Sequence, residues 1–487
     1  MSSIRKSLTT GVFYTALAKY SGVFFSIVIG AVLARLLTPE EFGIVALVTV
    51  FATFFRLLSD FGIGQAVVQN QKLTKQDIQS IFSFSVIFGI VLSVVFYLAA
   101  PFIANFYKER ALINVTKLLS LSVLFASVQI IPKAISQKNL KFKQIGIVTV
   151  IIQVVCGITA IILAYNGFSY YALVYQSIIS SALTLIVFYL LNPIKVVFKI
   201  RMEAVKKIIR FSTFNFLFNF INYFSRNGDN LLIGKFLGST ALGFYDKAYR
   251  LMMLPAQNLT HVVTPVLMPV LAKHQDDKEL IYNTYSKVVK ILATIGFPLS
   301  VLLFFSAHEI INLLYGPQWE LSIPVFKIIA LTIGIQMIYS SAGSIFQAVD
   351  RTDLLFIYGV IGAILLLSGI SYGVFIGKSI EAVGYGILIA FILNFFIVFY
   401  MLIHLALRNS YFTFLKNFIY PLIISLVLAF TLQLYSYMEN QNFIISFLFK
   451  ISISLFVFGG LFMMKEENQM IIKSGFNKLK INRNNKK

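Results

Sequence analysis

Arg226 and Asp229 stand three residues apart in a largely apolar run from Phe211 to Leu237. With Ile233 they recur at i, i+3 and i+7, so on a helix all three share one face. A charge inside a bilayer costs a few kcal/mol or more, and such a residue normally meets a partner, a water-filled cavity or a substrate. Two chemistries fit the pair. One is an intrahelical ion pair that makes a buried defect tolerable. The other is a guanidinium presented to an anion, where a planar fork of donors suits bidentate binding of phosphate. Asp229 then either holds Arg226 in place or carries a coupling proton or sodium ion. Gly228 weakens the helix here, and Asn230 adds hydrogen-bonding capacity.

Further along, Tyr245-Asp246-Lys247-Ala248-Tyr249-Arg250 is also charged, with Asp246 and Arg250 at i and i+4. Lys247 and Arg250 fall near the outer end of their apolar run, where they either snorkel to the surface or line the same cavity. Lys19 sits roughly 12 Å in from Gly11 along a helix and carries the same two readings. Arg56 and Asp60 form another i,i+4 pair, read as interfacial, just before a break at Phe61-Gly62-Ile63-Gly64-Gln65. Trp319 beside Gly316-Pro317 reads as an outer aromatic anchor. Asp276-Asp277 reads as a solvated turn, and His261, His308 and His404 have no ligand-spaced partner. No nucleophile elbow, Walker sequence, zinc spacing or dinucleotide fingerprint occurs, so no enzyme activity and no resident cofactor or metal is expected.

These residues need elements to hold them, and the composition says which. Of 487 residues 58% are hydrophobic and 12% charged, with mean hydropathy +0.83. Soluble chains carry about 25% charged residues, so this is an all-α polytopic membrane protein. The net charge of +22 could suggest nucleic acid, but the apolar runs leave no soluble surface for a basic groove. It reads instead as an orientation signal and an attraction to anionic lipid. The single cysteine, Cys156, excludes an internal disulfide. The apolar stretch 11–34 is too long for a signal-peptide core and reads as an uncleaved first helix.

A bilayer-spanning helix needs about 20 apolar residues. The stretches 11–34, 42–60, 79–104, 112–132, 146–165, 168–190, 211–233, 241–270, 287–308, 322–345, 354–376, 380–405, 412–436 and 443–464 meet this, about fourteen in all; 42–60 and 322–345 are short or interrupted. Alternate connections hold 26 basic residues on one side, Arg5 to Lys487, against Arg35, Lys108, Arg110, Lys235, Lys378 and Lys450 on the other. By the positive-inside rule both termini are cytoplasmic in a multi-pass protein. The loops leave no room for a soluble catalytic domain.

The chain also repeats at an offset of 200. Ala34-Arg35-Leu36-Leu37-Thr38-Pro39-Glu40-Glu41-Phe42-Gly43 aligns with Gly234-Lys235-Phe236-Leu237-Gly238-Ser239-Thr240-Ala241-Leu242-Gly243. Either any short outer turn needs a base and a glycine, or the bundle is duplicated, as in many secondary transporters. Duplication puts the boundary in the basic stretch 192–210, with an N-terminal lobe 1–200 and a C-terminal lobe 201–487 ending in a short basic cytoplasmic tail. Arg226 and Asp229 then correspond to Ser26 and Ile29, so the buried charge belongs to one half.

Four stretches together carry a resemblance: 34–43, Asp60-Phe61-Gly62-Ile63-Gly64-Gln65-Ala66-Val67-Val68-Gln69, Arg226-Asn227-Gly228-Asp229-Asn230-Leu231-Leu232-Ile233-Gly234-Lys235, and Gly243-Phe244-Tyr245-Asp246-Lys247-Ala248-Tyr249-Arg250. The chain resembles the polysaccharide-exporter branch of the multidrug/oligosaccharidyl-lipid/polysaccharide flippase superfamily, the Wzx-like flippases. The resemblance implies two pseudo-symmetric bundles forming a V around a central, positively charged cavity. It implies alternating access that carries an undecaprenyl-pyrophosphate-linked oligosaccharide across the bacterial inner membrane, alongside glycosyltransferases and a polysaccharide polymerase. Arg226 and Asp229 match cavity-lining positions of that branch; Asn230, Lys247, Arg250 and Lys19 join them as candidate substrate contacts. One departure is that the first helix holds only Lys19, where related lipid II flippases carry several charges. A cation-coupled multidrug exporter of the same superfamily is the alternative, but cationic drugs favour acidic cavities and the intramembrane excess here is basic. A membrane-embedded polymerase is the third reading; it needs a large outer loop or an outward acidic motif, and neither is present.

Overall fold

The computed structural model describes residues 2–70, 72–197, 200–437 and 442–463; the side chains of 2–18, of 463 and of a number of positions between 210 and 273, Arg226 among them, lie outside the description. Within it the chain is helical with no strand. Contacts group it into two compact units, Met1–Asp246 and Lys247–Lys487.

The first unit comprises α1 Ser2–Leu36, α2 Pro39–Asp60, α3 Ile63–Gln69, α4 Lys75–Leu98, α5 Ala100–Tyr107, α6 Leu112–Val128, α7 Ile130–Lys138, α8 Phe142–Tyr165, α9 Tyr171–Leu191, α10 Met202–Phe236 and the start of α11 Ser239–Leu271. Sequence explains the local breaks. Thr38 opens α2 with a capping box: its hydroxyl accepts the Glu41 N–H at 3.3 Å, while the Glu41 carboxylate accepts the Thr38 N–H at 2.7 Å, and Pro39 supplies the first turn. Thr74 and Asp77 repeat the device at α4. The expected break after α2 is present: Phe61 at φ 39° and Gly62 at φ 71° are left-handed. The stretch beyond it is the short α3, with Ile63, Ala66 and Val67 buried, followed by the first turn of α4.

The second unit follows with α12 Lys278–Phe305, α13 Ala307–Leu314, α14 Ser322–Ala330, α15 Thr332–Ala348, α16 Thr352–Tyr372, α17 Ile380–Phe399, α18 Tyr411–Leu415, α19 Ile419–Ser436 and α20 Phe443–Met463. Among the described residues eleven helices are long and apolar enough to cross a membrane. The pair α14–α15, bent by 46°, makes a twelfth if read as one span, and it is the interrupted stretch 322–345 of the sequence. The sequence's spans 211–233 and 241–270 fall in α10 and α11 and stand outside that count. Large apolar side chains such as Phe102, Phe430 and Phe456 point outwards. Exposed apolar surface of that kind is unfavourable in water and neutral against lipid tails.

The repeated turns meet. A Cβ at Gly43 would lie 1.8 Å from the Ser239 carbonyl oxygen, and a Cβ at Gly243 would lie 1.9 Å from the Pro39 carbonyl oxygen. Residues 39 and 239, and 43 and 243, are equivalent under the offset of 200, so the two contacts are reciprocal. Only glycine allows backbones so close, which is how membrane helices pack without a hydrophobic driving force. Gly43→Ala and Gly243→Ala are each expected to destabilise the protein by about 1–3 kcal/mol or more, because the new methyl meets backbone and cannot be accommodated by a rotamer change. Thermal unfolding in detergent checks this, and an unchanged midpoint for both variants would remove the close crossing.

Candidate functional site

α10 and α11 are joined by the short turn at Leu237 and Gly238, so residues at similar distances from it can face each other across the hairpin. Asp229 and Tyr245 do so. Asp229 is 5% exposed; its Oδ2 accepts a hydrogen bond from the Tyr245 hydroxyl at 2.7 Å, and its Oδ1 accepts the Asn230 N–H at 2.8 Å. Tyr245 is wholly buried and Asp246 beside it is buried too. A carboxylate at this depth is tolerable because donors face it, and bonds to a charged acceptor are the stronger kind. Tyr223, one and a half turns before Asp229, donates its hydroxyl to the Val50 carbonyl of α2, and Asn227 Nδ2 donates to the Tyr223 carbonyl at 2.9 Å. Tyr245 was not among the sequence candidates; its position at nearly the same distance from the turn as Asp229 is the signal that could have found it.

The other candidates have different settings. The Arg226 side chain lies outside the described residues. Asn230 is half-buried beside Asp229, while Lys19 on α1 and Arg250 on α11 are exposed. In the second unit Lys247 is 6% exposed, with its ammonium 5.1 Å from the Tyr315 ring centre and 5.5 Å from that of Trp319. It is therefore not snorkelling to the surface; two aromatic faces stabilise the cation where it stands. The same cluster corrects the reading of Trp319. Its side chain is fully buried, its ring centre 5.9 Å from that of Tyr315 and tilted 58° to it, where Gly316 at φ 95° and Pro317 turn the chain.

Two more polar constellations depart from the sequence reading. The Arg56–Asp60 pair is not formed. Asp60 Oδ1 instead accepts the Gly64 N–H at 3.3 Å, and Arg56 Nη2 donates to Ser122 Oγ of α6 at 2.9 Å and Ser177 Oγ of α9 at 3.0 Å. Lys450, counted above with the outer loops, lies inside α20, where it pairs with Glu309 of α13 and donates to the Phe305 carbonyl at 2.9 Å. Ser446 donates to the same Glu309 oxygen at 2.8 Å, and both charged side chains are less than 5% exposed. Ser446, Lys450 and Ser454, spaced four apart in an apolar helix, are the sequence signal of this polar stripe. At the start of α10, Lys207 pairs with Asp77 of α4 at 2.8 Å beside a cavity lined also by Lys75, Arg201 and Glu203. No cluster able to hold a metal ion occurs among the described residues.

Breaking a buried pair leaves an uncompensated charge and costs about 3–5 kcal/mol, whereas replacing both partners with apolar residues is near neutral. Glu309→Ala should therefore lower the unfolding midpoint markedly, and Glu309→Leu with Lys450→Met should recover most of it. Equal loss in the single and double variants would mean that the pair contributes through shape and not charge.

Comparison with known proteins gives one family match and several relatives. Residues 32–324 match the family described as polysaccharide biosynthesis protein. The chain is 26% identical over 434 residues to the lipopolysaccharide biosynthesis protein WzxC of Escherichia coli (strain K12), covering 87% of this chain and 86% of that one. It is 25% identical over 373 residues to the teichuronic acid biosynthesis protein TuaB of Bacillus subtilis (strain 168), covering 76% and 77%. In fold it is similar to the lipid II flippase MurJ in its inward closed conformation, with TM-score 0.71, 18% identity, and coverage of 91% of this chain and 97% of that one.

Proposed function

The chain belongs to the polysaccharide biosynthesis protein family, and from that premise we propose that it is a flippase moving an undecaprenyl-pyrophosphate-linked oligosaccharide across the bacterial inner membrane for surface polysaccharide synthesis. The observation that carries this reading is similarity along most of the chain to a lipopolysaccharide biosynthesis protein, joined to the fold of a lipid II flippase. The proposal extends to fourteen spans in two pseudo-symmetric lobes, 1–200 and 201–487, with both termini cytoplasmic and a proton or sodium ion as the coupling partner. α10 and α11, at 35 and 33 residues, are each long enough to cross about 30 Å of hydrocarbon and would bring the twelve counted spans to fourteen. The reciprocal contacts at Gly43 and Gly243 support a duplicated scaffold. Glycosyltransferases and a polymerase would supply and consume the substrate.

In this reading the substrate's pyrophosphate is met by bases in a low-dielectric setting. Arg226 supplies the fork, and Asn230, Lys247, Arg250 and Lys19 contribute contacts. Asp229 would couple an ion to the movement of α10 and α11, a role that its burial and its hydrogen bond from Tyr245 support. No catalytic step is assigned to the chain.

Arg226→Ala is expected to abolish surface polysaccharide while the protein still inserts, as read by polymer staining alongside immunoblotting of membranes. Normal polymer would remove Arg226 from the site. Asp229→Asn is expected to reduce transport in proteoliposomes far more than it lowers the unfolding midpoint. Parallel losses would reduce Asp229 to a packing role.

A further inference from the structure

Three connections meet at one end of the first unit: the α1–α2 turn, the α5–α6 loop and the α8–α9 loop. The first two hold Arg35, Lys108 and Arg110, so the charge count of the sequence makes this the outer end. The α8–α9 loop is fixed in place. Gly167 at φ 81° and Ser169 at φ 53° are left-handed, and the Phe168 N–H donates to the Leu163 carbonyl at 3.1 Å. The Ser169 hydroxyl donates to Oε1 of Glu41 on α2. This loop and the start of α9 carry a run of aromatic rings. Tyr170 and Tyr171 stand 4.6 Å apart, centre to centre, at 34°, and Tyr171 and Tyr175 stand 6.4 Å apart at 35°. Phe168 meets Tyr175 edge-on at 6.4 Å. Tyr170 lies within electrostatic range of the Glu41 and Glu109 carboxylates.

Tyrosine at a membrane face is commonly an anchor, with its ring among the headgroups. Tyr165, 81% exposed, has that setting. Tyr170, Tyr171 and Tyr175 do not: they are half-buried against one another, with carboxylates beside them. Among the described residues, Glu41 accepts one donor at each oxygen, from Ser169 and from the Thr38 N–H. Glu109 accepts the Ala111 N–H at 3.4 Å. A carboxylate has about four acceptor positions, so both keep capacity for further donors. Flat apolar faces beside such acceptors match a pyranose, which has an apolar C–H face and a rim of hydroxyl donors. An organic cation also favours aromatic faces, but Lys108 and Arg110 flank Glu109 in its own loop and oppose one. We propose that Tyr170, Tyr171 and Tyr175, with Glu41 and Glu109, form a carbohydrate-binding subsite at this end of the first unit. A pyranose ring lies on the tyrosines, and its hydroxyls donate to the carboxylates. The natural occupant, a sugar of the lipid-linked oligosaccharide, rests on the flippase reading above; recognition of a pyranose does not.

The test uses the full-length protein in nanodiscs of phosphatidylglycerol, whose headgroup carries no ammonium. Saturation-transfer NMR reads three probes: cellotetraose, oligosaccharide from partial hydrolysis of the surface polysaccharide of the strain that encodes the chain, and choline. Wild-type protein should bind at least one saccharide, with the strongest transfer to its ring C–H protons. Tyr170→Ala combined with Tyr171→Ala should weaken that binding by at least about tenfold, a loss of roughly 1.4 kcal/mol. Glu109→Gln should weaken it a few-fold, and Tyr165→Ala should leave it unchanged. Tyr171→Leu keeps bulk but loses the flat face, so it should also fall below wild type; it carries the test if the double variant is not monodisperse. No saccharide bound, choline bound alone, full affinity in the tyrosine variants, or an equal loss in Tyr165→Ala overturns the subsite. Saccharide binding without movement of a lipid-linked oligosaccharide in proteoliposomes would count against the transport reading and leave the subsite standing. Movement with no saccharide bound would do the reverse.

Discussion

The close approach of two backbones at Gly43 and Gly243 is the constraint on which the first unit depends. Helices in lipid gain nothing by burying apolar faces against one another, so they hold together by packing density and by polar contacts. A crossing with no side chain on either partner gives the densest packing available, and here it occurs where the start of α2 meets the start of α11. Everything hung from that crossing inherits its register. α2 carries Val50, which receives the Tyr223 hydroxyl, and Arg56 farther along; α11 carries Tyr245, which holds Asp229 of α10. A displacement at the glycines would shift each of these partners by a comparable distance, and hydrogen bonds do not survive an ångström of mismatch.

Much of this was legible in the chain. The offset of 200 marked the two turns that meet, and the apolar runs marked the spans. What pattern rules could not supply was the choice among competing partners. The i,i+4 rule pairs Arg56 with Asp60, yet the left-handed residues Phe61 and Gly62 restart the helix immediately afterwards and leave α3 with an unsatisfied N–H at Gly64. A helix start needs an acceptor, and Asp60 is the one within reach. The rule failed because it counted charges and not orphan donors. Trp319 was misplaced for a related reason: an amphipathic ring near an expected membrane face suggests an anchor, but the positive φ of Gly316 redirects the chain inward, and φ is not visible in composition. Asp229 and Tyr245 required knowing that α10 and α11 form a hairpin, after which their pairing is simple geometry.

Among the described residues, the buried Lys450 and Lys247 and the half-buried Arg56 show three different answers to one electrostatic problem. Lys450 is neutralised by Glu309 and braced by Ser446 and the Phe305 carbonyl. Lys247 lies against two aromatic faces, whose quadrupoles offset part of the desolvation cost. Arg56 is met by two serine hydroxyls, with its Nε enclosed and unpartnered. In the first two arrangements the cation meets its named partners inside its own unit. Each of the three draws partners from segments other than its own, so each cation also ties its helix to its neighbours and is a fixed point of the packing as well as an electrostatic cost.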